Sequence, residues 1–255
     1  MAYTTQQHTV QRFDSELNQV AALVDQMGHL ALDQLRRSLA SLNNEDAADA
    51  HAIIDRDKLI NDLDVQIDEQ IFRLIARRQP LAKDLREILA LGKVVADLER
   101  AGDETRKIAG LTVRFYEGES HPPGEPILRD IHTMAAYVCN MMEASLAAFA
   151  GLDVERAVAV LRLGDGLEGE FRSTLRRLST FIMEDARNVG YFVDIVLGIR
   201  ALDRFGVHAK NIAGHVIFLA AGEDVRHLSA DAVQHLLDGR PPAAVLDPGA
   251  DAGPS

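Results

Sequence analysis

The sequence predicts an all-α protein made of two tandem antiparallel three-helix bundles with long helices. Hydrophobic residues recur at steps of three and four along almost the whole chain, and the alternation typical of strands does not occur. Aromatic residues make up only 5% of the chain and Trp is absent, so aliphatic side chains must fill the core, which favours helix-on-helix packing. A motif of the third predicted helix returns in the sixth, which indicates an internal duplication.

The first repeat, placed at 1–116, contains three predicted helices. Apolar residues at helical spacing run through 10–42, then through 53–74, and again through 85–113. Pro80 separates the second helix from the third, because proline cannot continue a helix but suits the first turn of a new one. We expect Pro80 to lie in that first turn.

The second repeat, placed at 127–237, follows a linker at 117–126 that is rich in Gly, Pro and Glu. Its three predicted helices cover 127–149, 154–182 and 189–217. The last stretch, 238–255, is rich in Pro, Gly, Ala and Asp, so we expect a disordered tail.

The duplication is visible in two matched segments. LERAGD at 98–103 is followed by IAG at 108–110, and LDRFGV at 202–207 is followed by IAG at 212–214. Both copies have the same internal spacing and lie in the third helix of their set. Two tandem bundles therefore follow from the sequence itself.

Composition excludes several classes of function. The formal net charge of -12 disfavours general binding of nucleic acid or anionic lipid. The single cysteine, Cys139, allows neither an intrachain disulfide nor a cysteine-based metal site. No stretch approaches the ~18 apolar residues of a membrane span, and the polar start lacks the apolar run of a signal peptide. We therefore expect a cytoplasmic protein without membrane insertion.

Acidic residues interrupt the apolar stripes of the second and third helices. Asp57 and Asp64 lie in register with the isoleucines of the second helix, and Glu99 lies on the corresponding stripe of the third. Asp68 and Asp103 follow four residues after Asp64 and Glu99, so each helix carries a pair of carboxylates on one face. Like charges at this spacing repel, and partial burial increases the cost.

Three arrangements would offset that repulsion. A hard cation would be bridged by the four carboxylates of the two pairs. Salt bridges to Arg100, Arg106 or Lys107 would neutralise them, with Asp103 to Lys107 at a favourable spacing. The acids would otherwise line a solvated edge of the bundle.

Catalytic motifs are missing from the sequence. No Glu-x-x-His motif occurs, which excludes the ferritin-type di-iron pattern, and there is no P-loop, G-x-S-x-G or kinase loop. The histidines are scattered, and we expect His208 and His215 to lie on the helix surface.

Several segments together resemble the hallmark of the PhoU family. They are IARRQPLAKDLR at 75–86, LERAGD at 98–103, MEDAR at 183–187 and LDRFG at 202–206. The resemblance implies two three-helix bundles that act as a negative regulator of phosphate uptake and of phosphate-starvation signalling. It implies a soluble adaptor that contacts the ATPase subunit of the phosphate transporter and the membrane-bound sensor histidine kinase, without catalysis.

The resemblance also implies a metal site, because acid pairs on two helices of each bundle can hold metal ions in this family. The matching residues of the first bundle are Asp64, Asp68, Glu99 and Asp103. The second bundle keeps Glu168 and Asp203, but Arg172 and Val207 stand where their acidic partners would be. We therefore expect a divalent or iron-type ion in the first bundle only, and no other cofactor.

Other expectations accompany this interpretation. The segment from Gln79 to Arg86 is expected to serve helix capping and turn geometry rather than partner contact. A homodimer through exposed apolar stripes is expected. The alternative functions are a carboxylate-bridged metal store or metalloenzyme, and a family member that controls a different phosphate transporter or stress persistence.

Overall fold

Seven helices and no strand occur in the parts of the chain that the computed structural model describes, which are 11–118, 122–184, 189–226 and 228–239. The helices are α1 Gln11–Asn43, α2 Ala47–Arg78, α3 Ala82–Tyr116, α4 Glu125–Gly151, α5 Val154–Glu184, α6 Val189–Ala221 and α7 Ala230–Leu237. The predicted fold class is confirmed. The short α7 was not anticipated, and the predicted tail lies outside the described residues from residue 240 onwards.

The turn between α2 and α3 contains the proline noted in the sequence. Gln79 ends α2 in the left-handed conformation (φ 48°), and its N–H donates to the carbonyl of Ile75 at 3.0 Å. Leu81 is extended (φ -121°, ψ 154°) and precedes the first residue of α3. Pro80 therefore lies before α3, so its expected place in the first helical turn was wrong. The left-handed Gln79 and the extended Leu81 complete the reversal of the chain before the helix starts.

The first bundle consists of α1, α2 and α3, and the second consists of α4, α5 and α6. The two bundles meet mainly along α3 and α6, and α1 also contacts α4. One hydrophobic core runs through both bundles, so each bundle contributes to the burial of the other. None of the helices in the described ranges is long and apolar enough to cross a membrane.

Helices α3 and α6 run antiparallel. Lys93 of α3 lies over the ring of Phe218, whereas Arg114, near the other end of α3, pairs with Asp194 at 2.9 Å. The helices approach closely at Gly198, where a Cβ atom would lie 2.1 Å from a methyl group of Leu111. A larger residue at position 198 would require the Leu111 side chain to move.

Candidate functional site

An acidic strip runs along the junction of α2 and α3, formed by Asp57, Asp64, Asp68, Glu99 and Asp103. Asp57 is buried, with 6% of its surface exposed. Asp64, Glu99 and Asp103 are half-buried, and Asp68 is exposed. The helical spacing predicted from the sequence thus places these carboxylates along one junction, at different depths.

The carboxylates of the strip repel one another. Burial is the main cause that raises the pKa of Asp57, Asp64 and Glu99 above their ordinary values. Repulsion adds to it: Asp103 acts on Asp57, and Asp68 acts on Asp64. Asp103 and Asp64 both raise the pKa of Glu99, so the repulsion crosses from α2 to α3.

Arg106 offsets part of this repulsion at one end of the strip. Its Nη2 donates to Asp103 Oδ1 at 3.1 Å, and its Nε lies 3.4 Å from Asp57 Oδ2. Among the salt bridges that the sequence left open, the one to Arg106 forms, whereas Lys107 donates to Glu104 at 2.8 Å. Glu104 is buried and lies one residue after Asp103, outside the strip.

The strip is not arranged as a preformed metal centre. Within 11–118, 122–184, 189–226 and 228–239, no group of three or more His, Cys, Asp or Glu side chains is positioned to hold a metal ion. The donors themselves are carboxylates, which suit a hard cation. Metal binding by Asp64, Asp68, Glu99 and Asp103 therefore stays a prediction.

The corresponding positions of the second bundle are neutralised by arginines. Arg172 donates to Glu168 at 2.5 Å, and Arg200 donates to Asp203 at 2.9 Å. Burial raises the pKa of Asp203, while the nearby Arg200 opposes this effect. Val207 is 42% exposed and offers no donor. The acid pairs are thus replaced by salt bridges.

A buried polar cluster joins the two bundles. The carboxylate of Asp97 on α3 makes three hydrogen bonds with side chains of α6: His208 Nδ1 at 2.9 Å, Asn211 Nδ2 at 3.0 Å and His215 Nε2 at 3.1 Å. Burial by itself would raise the pKa of Asp97, but these hydrogen bonds outweigh it and hold the pKa well below its usual range. The carboxylate is therefore ionised in the folded protein.

The expectation that His208 and His215 lie on the helix surface was wrong. His215 is 5% exposed, and the His208 side chain is 13% exposed. A signal was present in the sequence: positions 208, 211 and 215 form one stripe of the most apolar helix. Polar side chains on such a stripe need a buried partner, and the partner is Asp97.

Comparison with known proteins decides the family. The model of the PhoU domain matches residues 24–112 and again 131–216. The chain belongs to the PhoU family. The phosphate-specific transport system accessory protein PhoU homologue of Pseudomonas putida is 37% identical over 221 residues, which are 87% of this chain and 85% of that protein. The phosphate-specific transport system accessory protein PhoU of Escherichia coli is 31% identical over 233 residues, which are 91% of this chain and 95% of that protein.

Solved structures agree with this assignment. The crystal structure of PhoU from Pseudomonas aeruginosa superposes with a TM-score of 0.77 at 36% identity, covering 83% of this chain and all of that one. The phosphate transport system regulatory protein PhoU from Streptococcus pneumoniae superposes with a TM-score of 0.75 at 24% identity, which shows the fold alone.

The acidic strip and the buried polar cluster are distributed differently over the two PhoU domain matches. The whole acidic strip and Asp97 lie on α2 and α3, within the match at 24–112. The three partners of Asp97 fall in the match at 131–216. The buried cluster therefore links one PhoU domain to the other, and α7 lies outside both matches.

Proposed function

We propose that this chain is a negative regulator of phosphate uptake and of phosphate-starvation signalling. It acts as a cytoplasmic adaptor that contacts the ATPase subunit of a phosphate-specific transporter and a sensor histidine kinase, and it performs no catalysis. The observation that supports this proposal is the relationship to phosphate-specific transport accessory proteins, which extends over both bundles and over 85% to 95% of the relatives' lengths.

The surface suits a role in protein contact. Long helices expose broad faces, and two large apolar side chains seven residues apart lie on one face of α2: Val65 is 59% exposed and Phe72 is 73% exposed. Exposed apolar side chains grouped on one helix are typical of interaction sites. We propose that this face supports homodimer formation.

Metal binding is a second proposal, limited to the first bundle. A divalent or iron-type ion held by Asp64, Asp68, Glu99 and Asp103 would relieve the repulsion that raises the pKa of Asp64 and Glu99. The ion would supply positive charge between α2 and α3. A metal store or metalloenzyme has less support, since none of the four proposed ligands is a histidine.

A reporter of phosphate starvation tests the regulatory proposal. In a deletion strain grown with excess phosphate, alkaline phosphatase should switch on, and a plasmid copy of this gene should silence it again. The empty plasmid is the control, and uptake of labelled phosphate in the same strains separates control of transport from control of the kinase. A reporter that stays off in the deletion strain would contradict the proposed pathway while leaving family membership unaffected.

A further inference from the structure

A groove with a cationic lining lies between α3 and α6, although the whole chain has a formal net charge of -12. Its volume is about 560 Å³. Five of its lining side chains are cationic, and Glu104 is the single acid among the described lining residues. We call this cavity the basic groove. Its basic residues are Arg106, Lys107, Arg114, Arg200 and Arg204.

Three arginines of the basic groove form salt bridges with acids that lie outside it. Arg114 pairs with Asp194 at 2.9 Å, and Arg200 pairs with Asp203 at 2.9 Å. Arg106 pairs with acids of the acidic strip. None of these acids is among the described lining residues. A guanidinium carries five N–H donors, so each arginine keeps donors for a ligand after its salt bridge is made.

Glu104 lies at the base of the groove. It is 3% exposed, accepts from Lys107 at 2.8 Å and has Arg204 at 4.0 Å. Glu104 is thus within ion-pair distance of two of the five cations. The five cations come from both bundles, and the N–H donors that their salt bridges leave unused suit a ligand with several negative charges.

The size and the rest of the lining indicate more than a single phosphate ion. Ile54, Leu197 and Ala201 add an apolar wall. Gly110 keeps the space open, because a Cβ atom there would have only Arg114 Nη1 within 4 Å, at 3.7 Å. Small-molecule sites usually measure about 300–1,000 Å³ and combine apolar walls with a few placed polar groups.

The internal duplication accounts for the open volume. In the alignment of the two copies, LERAGD at 98–103 corresponds to LDRFGV at 202–207. By the same alignment, Asp97 corresponds to Ala201, and Glu104 corresponds to His208. At one end of the junction Asp97 and His208 fill the interface with a hydrogen bond. At the other end of the junction, Ala201 stands at the position equivalent to Asp97 and has no carboxylate. The basic groove lies there.

We propose that the basic groove binds a nucleoside polyphosphate, with the linked phosphates on the arginines and the base on the apolar wall. Such a ligand would contact α3 and α6 together and so stabilise the junction of the two bundles. The proposal does not depend on the regulatory function proposed above, because it rests only on the lining of this cavity.

Titration calorimetry at constant ionic strength tests the proposal, with full-length protein freed of metals by a chelator. ATP should bind, while inorganic phosphate should bind at least about tenfold more weakly, since one phosphate reaches fewer of the cations. Tripolyphosphate carries the linked phosphates without the base, so it should bind more weakly than ATP. Equal affinity for ATP and tripolyphosphate would overturn the role of the apolar wall. Absence of ATP binding at millimolar concentration would overturn the site.

Two variants locate the binding. Arg200→Gln combined with Arg204→Gln should weaken ATP binding at least about tenfold. Arg172→Gln removes one exposed arginine of α5 outside the basic groove and is the charge control, with unchanged affinity expected. Equal ATP affinity of the double variant and the wild type would overturn the assignment.

Gly110→Leu blocks the space without removing charge. Leucine is a better helix former than glycine, so the variant should fold and keep its thermal midpoint or raise it. It should lose ATP binding because its side chain enters the groove. ATP binding at wild-type affinity in a folded Gly110→Leu protein would place the ligand elsewhere.

Discussion

Replacing Asp97 with alanine should weaken the junction between the bundles. The substitution leaves the buried His215 and the partly buried His208 and Asn211 without their acceptor, at hydrogen-bond distances of 3.1, 2.9 and 3.0 Å. Removing one partner of a buried charged network costs about 3–5 kcal/mol, because the remaining polar groups stay desolvated. Since about 1 kcal/mol shifts the midpoint of a protein of this size by about 2–4 °C, the thermal midpoint should fall by about 6–20 °C.

Asp97→Asn tests the contribution of the negative charge, because asparagine has nearly the same size and shape as aspartate. It keeps one carbonyl acceptor but loses the ionised group, so a smaller loss of about 1–3 kcal/mol is expected. The folded-state pKa of Asp97 lies below its unfolded value of about 3.9. The charge therefore contributes its full stability above that pH and loses it as the pH falls through the folded pKa. The difference between wild type and Asp97→Asn should shrink only below about pH 4.

Urea unfolding followed by circular dichroism measures both effects. Asp62→Ala, an exposed acid of α2, is the matched control and should change the free energy of unfolding by less than ~0.5 kcal/mol. A double-mutant cycle of Asp97→Ala with His208→Ala should show a coupling of about 1 kcal/mol or more. A loss below ~1 kcal/mol for Asp97→Ala would refute the stabilising role assigned to this cluster.

Four further outcomes are expected. Purified wild-type protein should contain a metal ion by elemental analysis, and Asp64→Ala/Glu99→Ala should not; equal metal content in both proteins would end the metal proposal. Asp57→Asn should raise the thermal midpoint of metal-free protein at pH 7, because burial and repulsion disfavour the charged form, and the gain should fade as the pH falls through the raised pKa. A lower midpoint for that variant would show that the contact with arginine outweighs burial. Gln79→Gly should raise the free energy of unfolding by up to ~1 kcal/mol in urea titration, since glycine adopts φ 48° without strain; a loss would mean that the glutamine side chain stabilises the turn. Phe72→Ser should shift the mass measured by light scattering from dimer towards monomer, and an unchanged dimer would exclude this face of α2.

Periodicity was sufficient to predict the six long helices, because each buries an apolar stripe over many turns. The eight residues of α7 are too few for such a pattern. Its position also depends on a distant group, since Asp165 of α5 accepts the N–H of Ala230 at 3.1 Å. Short elements that dock through such contacts leave little signal in their own residues.

The sequence predicted which carboxylates of the acidic strip share a helix face, but it did not predict all of their salt-bridge partners. Spacing along one helix shows that two carboxylates share a face, which held for Asp64 with Asp68 and for Glu99 with Asp103. Spacing admitted the pair of Arg106 with Asp103, but it could not show that Arg106 also reaches Asp57 on the neighbouring helix. Contacts between helices need the tertiary structure.

The sequence by itself determined the all-α class, the duplication, the acid pairs and the resemblance to PhoU proteins, because all of these depend on spacing within one chain. Only the tertiary structure decided which side chains of α3 and α6 meet. Asp97 and His215 are 118 positions apart and bond because the two helices pack antiparallel in one register. The basic groove has the same origin, since its cations come from both helices. Helical periodicity specifies which face of a helix is buried, but it leaves the rotation and axial register of packed helices open.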